Sequence, residues 1–116
     1  MRTAMIAIAG AVLAGAVLAG CESNAVSRAV GARCDTSDDC DERCLSSGAD
    51  YPGGFCTVSC SDRTDCPSDT TCADVEGGVC LFTCDNDIDC TFLGDNWGCM
   101  AVDLHGGGIK VNVCRG

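Results

Sequence analysis

The chain opens on one long apolar run and carries none of comparable length afterwards. From Thr3 to Gly20 no residue is charged, and Ala, Val, Leu, Ile and Gly dominate; ahead of the run stand only Arg2 and the amino terminus. A short positive end followed by an apolar stretch that closes in small residues is the pattern of an export signal. The run is also near the lower length limit for crossing a bilayer, so a retained span is the competing reading. Its Ala- and Gly-rich composition, with small residues directly before Cys21, favours cleavage. Beyond residue 33 the pattern is that of short strands. Thr70–Val75 and Val79–Thr83 are β-favouring runs on either side of Glu76-Gly77-Gly78, a turn signal. Trp97–Leu104 and Ile109–Cys114 flank His105-Gly106-Gly107-Gly108, and Ile109-Lys110-Val111-Asn112-Val113 alternates as a strand with one covered face does. Pro52-Gly53-Gly54 holds the matching place earlier in the chain. No segment after Cys34 shows a helical period.

The cysteines organise these elements. There are 13, an odd number. If Cys21 is set aside, twelve remain: Cys34, Cys40, Cys44, Cys56, Cys60, Cys66, Cys72, Cys80, Cys84, Cys90, Cys99 and Cys114. Even parity and export together point to a disulfide framework. The spacing repeats. Units 34–56, 60–80 and 84–114 each open with Cys-x5-Cys, each second cysteine follows an aspartate (Asp39, Asp65, Asp89), and three residues separate one unit from the next. The expected fold is therefore small and disulfide-rich: three tandem four-cysteine units, each a short irregular β-hairpin preceded by an acidic turn, with little helix after the signal. Four cysteines allow three pairings; we expect first-to-third and second-to-fourth, with bonds across the seams as the alternative. Residues 1–20 are assigned to the signal, 21–33 to Cys21 and a flexible tether, and 34–116 to the cysteine-rich domain.

Composition narrows the function. Cleavage removes Arg2 and leaves six basic against 17 acidic residues, a mature charge of −11. That excludes the basic face nucleic-acid binding needs and gives no attraction to anionic lipid. Large apolar side chains are few, so crosslinks have to supply what a small core does not. Trp97 and Phe92 are expected in that core.

Two resemblances follow from these motifs. Leu18-Ala19-Gly20-Cys21 resembles the lipobox of bacterial lipoproteins. That resemblance implies diacylglyceryl transfer to the Cys21 sulfur, cleavage before it and acylation, commonly with palmitate, of the new amino group. It would also account for the odd cysteine. Glu22 is not the aspartate that such proteins use for inner-membrane retention, which tilts the implied location to the outer membrane, on its periplasmic or surface face. The repeated Cys-x5-Cys pattern from Cys34 to Cys114 resembles the cysteine-rich repeats of bacterial surface lipoproteins, and locally the Dickkopf N-terminal and EB-type modules. The long Cys99-to-Cys114 span departs from them. What these modules share is a scaffold, so no catalytic residue is implied.

Candidate chemistry is thin. There is no Cys-x2-Cys pair of the kind zinc sites favour, and no cofactor is expected. Asp85-Asn86-Asp87-Ile88-Asp89 matches the opening of a calcium loop, making Asp85, Asp87 and Asp89 a weak calcium candidate. Cys90 stands where that loop needs glycine, and Asn96 where it needs glutamate. Asp35, Asp38 and Asp39 recur in the related turn of the first unit. His105, the single histidine, is expected to be a solvated loop residue, and no catalytic residue is assigned. The sequence thus reads as a non-catalytic cell-envelope lipoprotein held to a membrane by its lipid. It would present an interaction domain to a protein or glycan partner, without nucleic acid. A structural envelope component, or a protease inhibitor acting through the loop Leu45–Gly54, is the alternative.

Overall fold

The computed structural model describes residues 26–116. Residues 1–20 (assigned above to an export signal), Cys21 and residues 22–25 lie outside the described residues. What is described is disulfide-rich and built of short antiparallel strand pairs. β1 (Arg43–Leu45) pairs with β2 (Phe55–Thr57), β3 (Thr70–Ala73) with β4 (Val79–Phe82), and β5 (Gly98–Asp103) with β6 (Lys110–Arg115). Among the described residues, helix is confined to 3-10 turns at Ser37–Asp39, Arg63–Asp65 and Asp87–Leu93. Among the described residues no helix is long and apolar enough to cross a membrane.

Six disulfides close the structure: Cys34–Cys44, Cys40–Cys56, Cys60–Cys72, Cys66–Cys80, Cys84–Cys99 and Cys90–Cys114. In each hairpin the two strand cysteines face each other in register, as Cys44↔Cys56, Cys72↔Cys80 and Cys99↔Cys114. Each bonds instead to a cysteine just before the preceding 3-10 turn, just after it or, for Cys90, within it, so every hairpin is tied to its turn by both strands.

The turns are built alike, and the aspartate before the second cysteine is the reason. Asp39 Oδ2 accepts from the amides of Asp35 (2.9 Å) and Thr36 (3.3 Å). Asp65 Oδ2 accepts from Ser61 (2.8 Å) and Asp62 (3.3 Å), and Asp89 Oδ2 from Asp85 (2.8 Å) and Asn86 (3.3 Å). A carboxylate at the third position of a turn reaching back to the capping amides is one half of a capping box. Thr36, Asp62 and Asn86 stand at the cap.

The hairpins share one core. Tyr51 and Phe55 of the first, Phe82 of the second and Trp97, just before β5, are all buried. Phe55 lies 5.4 Å from Trp97 and 6.2 Å edge-on from Phe82, and Tyr51 is 6.4 Å from both Phe55 and Trp97, measured between ring centroids. Trp97 satisfies its indole N–H on the Pro52 carbonyl at 3.2 Å. The fully buried Thr57 hydroxyl donates to the Cys80 carbonyl at 2.6 Å. Both bonds satisfy polar groups that would be costly if buried alone. Trp97 is core, as expected. Phe92 is not: its residue is about half exposed, with its ring in a T-shaped contact with Phe82 at 5.1 Å between centroids. The 3-10 turn that carries it projects the ring outward.

A second correction concerns the tether. From residue 26 on, the segment assigned to it packs on the domain. Val30 is buried in the core, the Gly31 amide donates to the Cys56 carbonyl, and the Cys56 amide donates to Ala32, both at 2.8 Å. Arg28 pairs with Asp41 at 3.5 Å. The physical reason recurs along the chain: the segment before each opening cysteine pairs with the second strand of the hairpin that follows. Val58 and Ser59 do so with Cys80 and Val79, and Thr83 with Val113. Residues 31–32 are the same feature for the first hairpin.

Candidate functional site

The loop between β1 and β2 forms a concavity, a recess of about 270 Å³ lined by Leu45, Ser46, Gly48, Ala49, Asp50, Tyr51 and Glu76. Its shape comes from turns closed by backbone bonds. Gly54 N–H donates to Tyr51 C=O at 2.9 Å, and Gly53 N–H to the Ser47 hydroxyl at 3.0 Å. The C-terminal end of β6 holds it from behind. Arg115 reaches Asp50 at 3.3 Å and the Tyr51 hydroxyl at 3.2 Å, lying 5.2 Å from the centre of that ring, and Gly116 N–H donates to Asp50 C=O at 2.7 Å. Burial pushes the Tyr51 phenol up, with the Arg115 guanidinium pulling the other way. Tyr51, in the middle of the loop Leu45–Gly54, is therefore anchored inward.

Two carboxylates of the calcium candidate accept backbone hydrogen bonds in the structure. Asp89 commits Oδ2 to the two capping amides, and Asp87 Oδ1 accepts from Cys99 N–H at 2.8 Å, fixing the turn to β5. These carboxylates organise backbone. Asp39 is held below its ordinary 3.8 by the Asp35 and Thr36 amides, and Asp62 below 3.8 by the Thr64 hydroxyl and amide. Close groups of three sulfurs occur at Cys34/Cys40/Cys44, Cys60/Cys66/Cys80 and Cys84/Cys90/Cys114. All belong to disulfides, and metal binding needs free thiolates.

His105 lies in the turn between β5 and β6, partly exposed, and makes a contact with the second hairpin. Its Nδ1 lies 2.9 Å from Asp74 Oδ1, its amide donates to Cys72 C=O at 2.9 Å, and its ring is partly buried beside Gly78. Leu104 bridges Ala73 alongside, and Asp74 N–H donates to Asp103 C=O. His105 thus staples the third hairpin to the second. Sequence spacing carries no sign of this, because 31 residues separate the two partners.

No protein-family model matches the chain, and neither does any curated protein or any solved structure.

Proposed function

We propose that the protein is a cell-envelope lipoprotein, anchored through acylated Cys21 and displaying a non-catalytic interaction domain of three tandem four-cysteine units. The observation that carries this reading is the fate of the cysteines. All twelve that follow Cys21 are consumed in pairs, which leaves the cysteine of Leu18-Ala19-Gly20-Cys21 as the odd sulfur, free for a thioether. A location in the outer membrane, on its periplasmic or surface face, belongs to the same proposal. Support for a non-catalytic role comes from the chemistry of the candidate groups. The sulfurs are oxidised and so are not nucleophiles, and the one imidazole is engaged with Asp74 between hairpins. The acidic surface favours a neutral or basic protein or glycan partner over nucleic acid.

Mass spectrometry of the protein from a membrane fraction tests the anchor. The expected mature chain begins at Cys21 with acyl groups on its sulfur and amino nitrogen. An intact Met1, or an unmodified Cys21, would sink the proposal.

A further inference from the structure

We propose that Ile88 and Phe92 form a lipid-contacting edge that seats in the headgroup region of the bilayer holding Cys21, and so fixes which face of the domain points outward. The inference rests on the lipid-anchor reading above and adds an orientation to it.

Three observations converge. Ile88 is 76% and Phe92 52% exposed, while Tyr51, Phe55, Phe82 and Trp97 are all buried. Both exposed residues project from the one 3-10 stretch Asp87–Leu93. Next, the Phe92 side of this stretch adjoins Val26, the first described residue. The Phe92 ring meets the edge of Phe82 at 5.1 Å. Phe82 in turn lies over Gly31, where a Cβ would come within 3.0 Å of the Phe82 ring and 3.2 Å of Val26 Cγ2. Val26, Phe82 and Phe92 therefore form one row. Finally, the connection is short. Because residues 26–33 are docked on the domain, only five residue steps separate Val26 from Cys21, a contour of at most about 16–18 Å. An apolar edge held that close to an anchored lipid is within reach of the headgroup layer, which adds about 5–7 Å on each side of the hydrocarbon core. Aromatic and aliphatic side chains are favoured at that depth.

The surrounding charge selects the lipid. Asp85, Asp87 and Asp89 border Ile88, so the edge suits zwitterionic headgroups and is repelled by anionic ones. Ile109, 62% exposed, provides the contrast. It adjoins Lys110, the partner of Asp103 at the far end of β5–β6, roughly 14 Å of strand from the Cys99 that Asp87 holds.

The test uses the full mature, acylated chain in phosphatidylcholine vesicles containing lipids with a nitroxide near the headgroup. Phe92→Trp and Ile109→Trp each add one exposed indole to the buried Trp97. Absence of free thiols after denaturation verifies that both variants have oxidised. The added emission of Phe92→Trp should be quenched at least twofold more than that of Ile109→Trp. Including phosphatidylglycerol should reduce the difference, and salt should restore it. Equal quenching in protein that floats with the vesicles overturns the lipid edge and leaves the anchor standing. A Phe92→Trp emission shielded from the nitroxide in proportion to protein density would mean a second copy covers the edge, and also overturns it. Loss of flotation with an unmodified Cys21 overturns the anchor and the edge together.

Discussion

Cys72 and Cys80 stand opposite each other across β3 and β4 yet bond to different partners, Cys72 to Cys60 and Cys80 to Cys66. The same crossing holds at Cys44 and Cys56 and at Cys99 and Cys114. Two covalent loops thus overlap around each 3-10 turn, and a hairpin too short to persist alone is fastened through both of its strands.

The loops differ in size, so their bonds should differ in strength of effect. Cys34–Cys44 spans 10 residues and Cys90–Cys114 spans 24. In the chain-entropy model they contribute about 2.8 and 3.5 kcal/mol respectively. Cys90 and Cys114 are also more deeply buried than Cys44, which adds a packing loss in the same direction. Urea unfolding should therefore show the Cys90→Ala/Cys114→Ala pair losing more stability than Cys34→Ala/Cys44→Ala. The reverse order would mean that loop closure does not govern these bonds.

The capping aspartates predict an acid limit. Backbone amides from Asp35 and Thr36 hold Asp39 below its ordinary 3.8, so the folded state prefers the carboxylate more strongly than the unfolded chain does. For a depressed carboxyl, the stabilisation is fully present above the unfolded pKa and is lost as pH falls through the folded one. Stability should hold from neutrality to about pH 5 and decline below about pH 4. Asp39→Asn should lower the urea midpoint at pH 7 and flatten that decline, as losing a cap does. An unchanged pH profile would contradict the capping role.

Much of this fold is legible in the sequence, and the parts that are not have physical causes. The hairpins follow from β-favouring runs around Gly-rich turns, and the acidic turns from their recurrence. Cysteine spacing leaves the pairing order open, since it does not say which sulfur a strand presents to its turn. Cys-x-Thr/Asp/Asn-x-x-Asp-Cys stands at 34–40, 60–66 and 84–90, and that recurrence, taken as a cap, makes Asp89 a backbone acceptor like Asp39 and Asp65. Counting units from their first cysteine hides residues 31–32, whose role is backbone pairing and leaves no side-chain pattern. The exposure of Phe92 is equally hidden, because apolar character alone does not give the direction in which a 3-10 turn points a ring.

Gly54 should tolerate no side chain. Its φ is +82°, and a Cβ there would fall 2.0 Å from the Cys34 carbonyl oxygen. Gly78 repeats the relation, at 2.7 Å from the Cys60 oxygen. Gly77 has a similar φ of +86° but open space around it. Gly77→Ala should cost only the left-handed backbone penalty, about 1–2 kcal/mol. Gly54→Ala adds a backbone collision and should prevent complete oxidation, read as free thiols in the purified protein. Equal, modest losses in both variants would show that the Cys34 segment can shift.

Trp97 should be the side chain that couples the first and third hairpins. It is buried against Phe55 and Tyr51 and donates to Pro52, all in the first hairpin or its loop, while it leads directly into β5. Trp97→Ala should cost about 3–5 kcal/mol, the range for a large aromatic removed from a core. Trp97→Phe keeps much of the volume but loses the indole bond, so it should cost about 1 kcal/mol beyond the packing change. Phe92→Ala, at the exposed edge, should cost under about 1 kcal/mol in detergent-free solution at neutral pH. Urea denaturation of the three variants ranks them. A Trp97→Ala loss no greater than that of Phe92→Ala would mean that the hairpins are held by their disulfides alone, with no shared aromatic core between them.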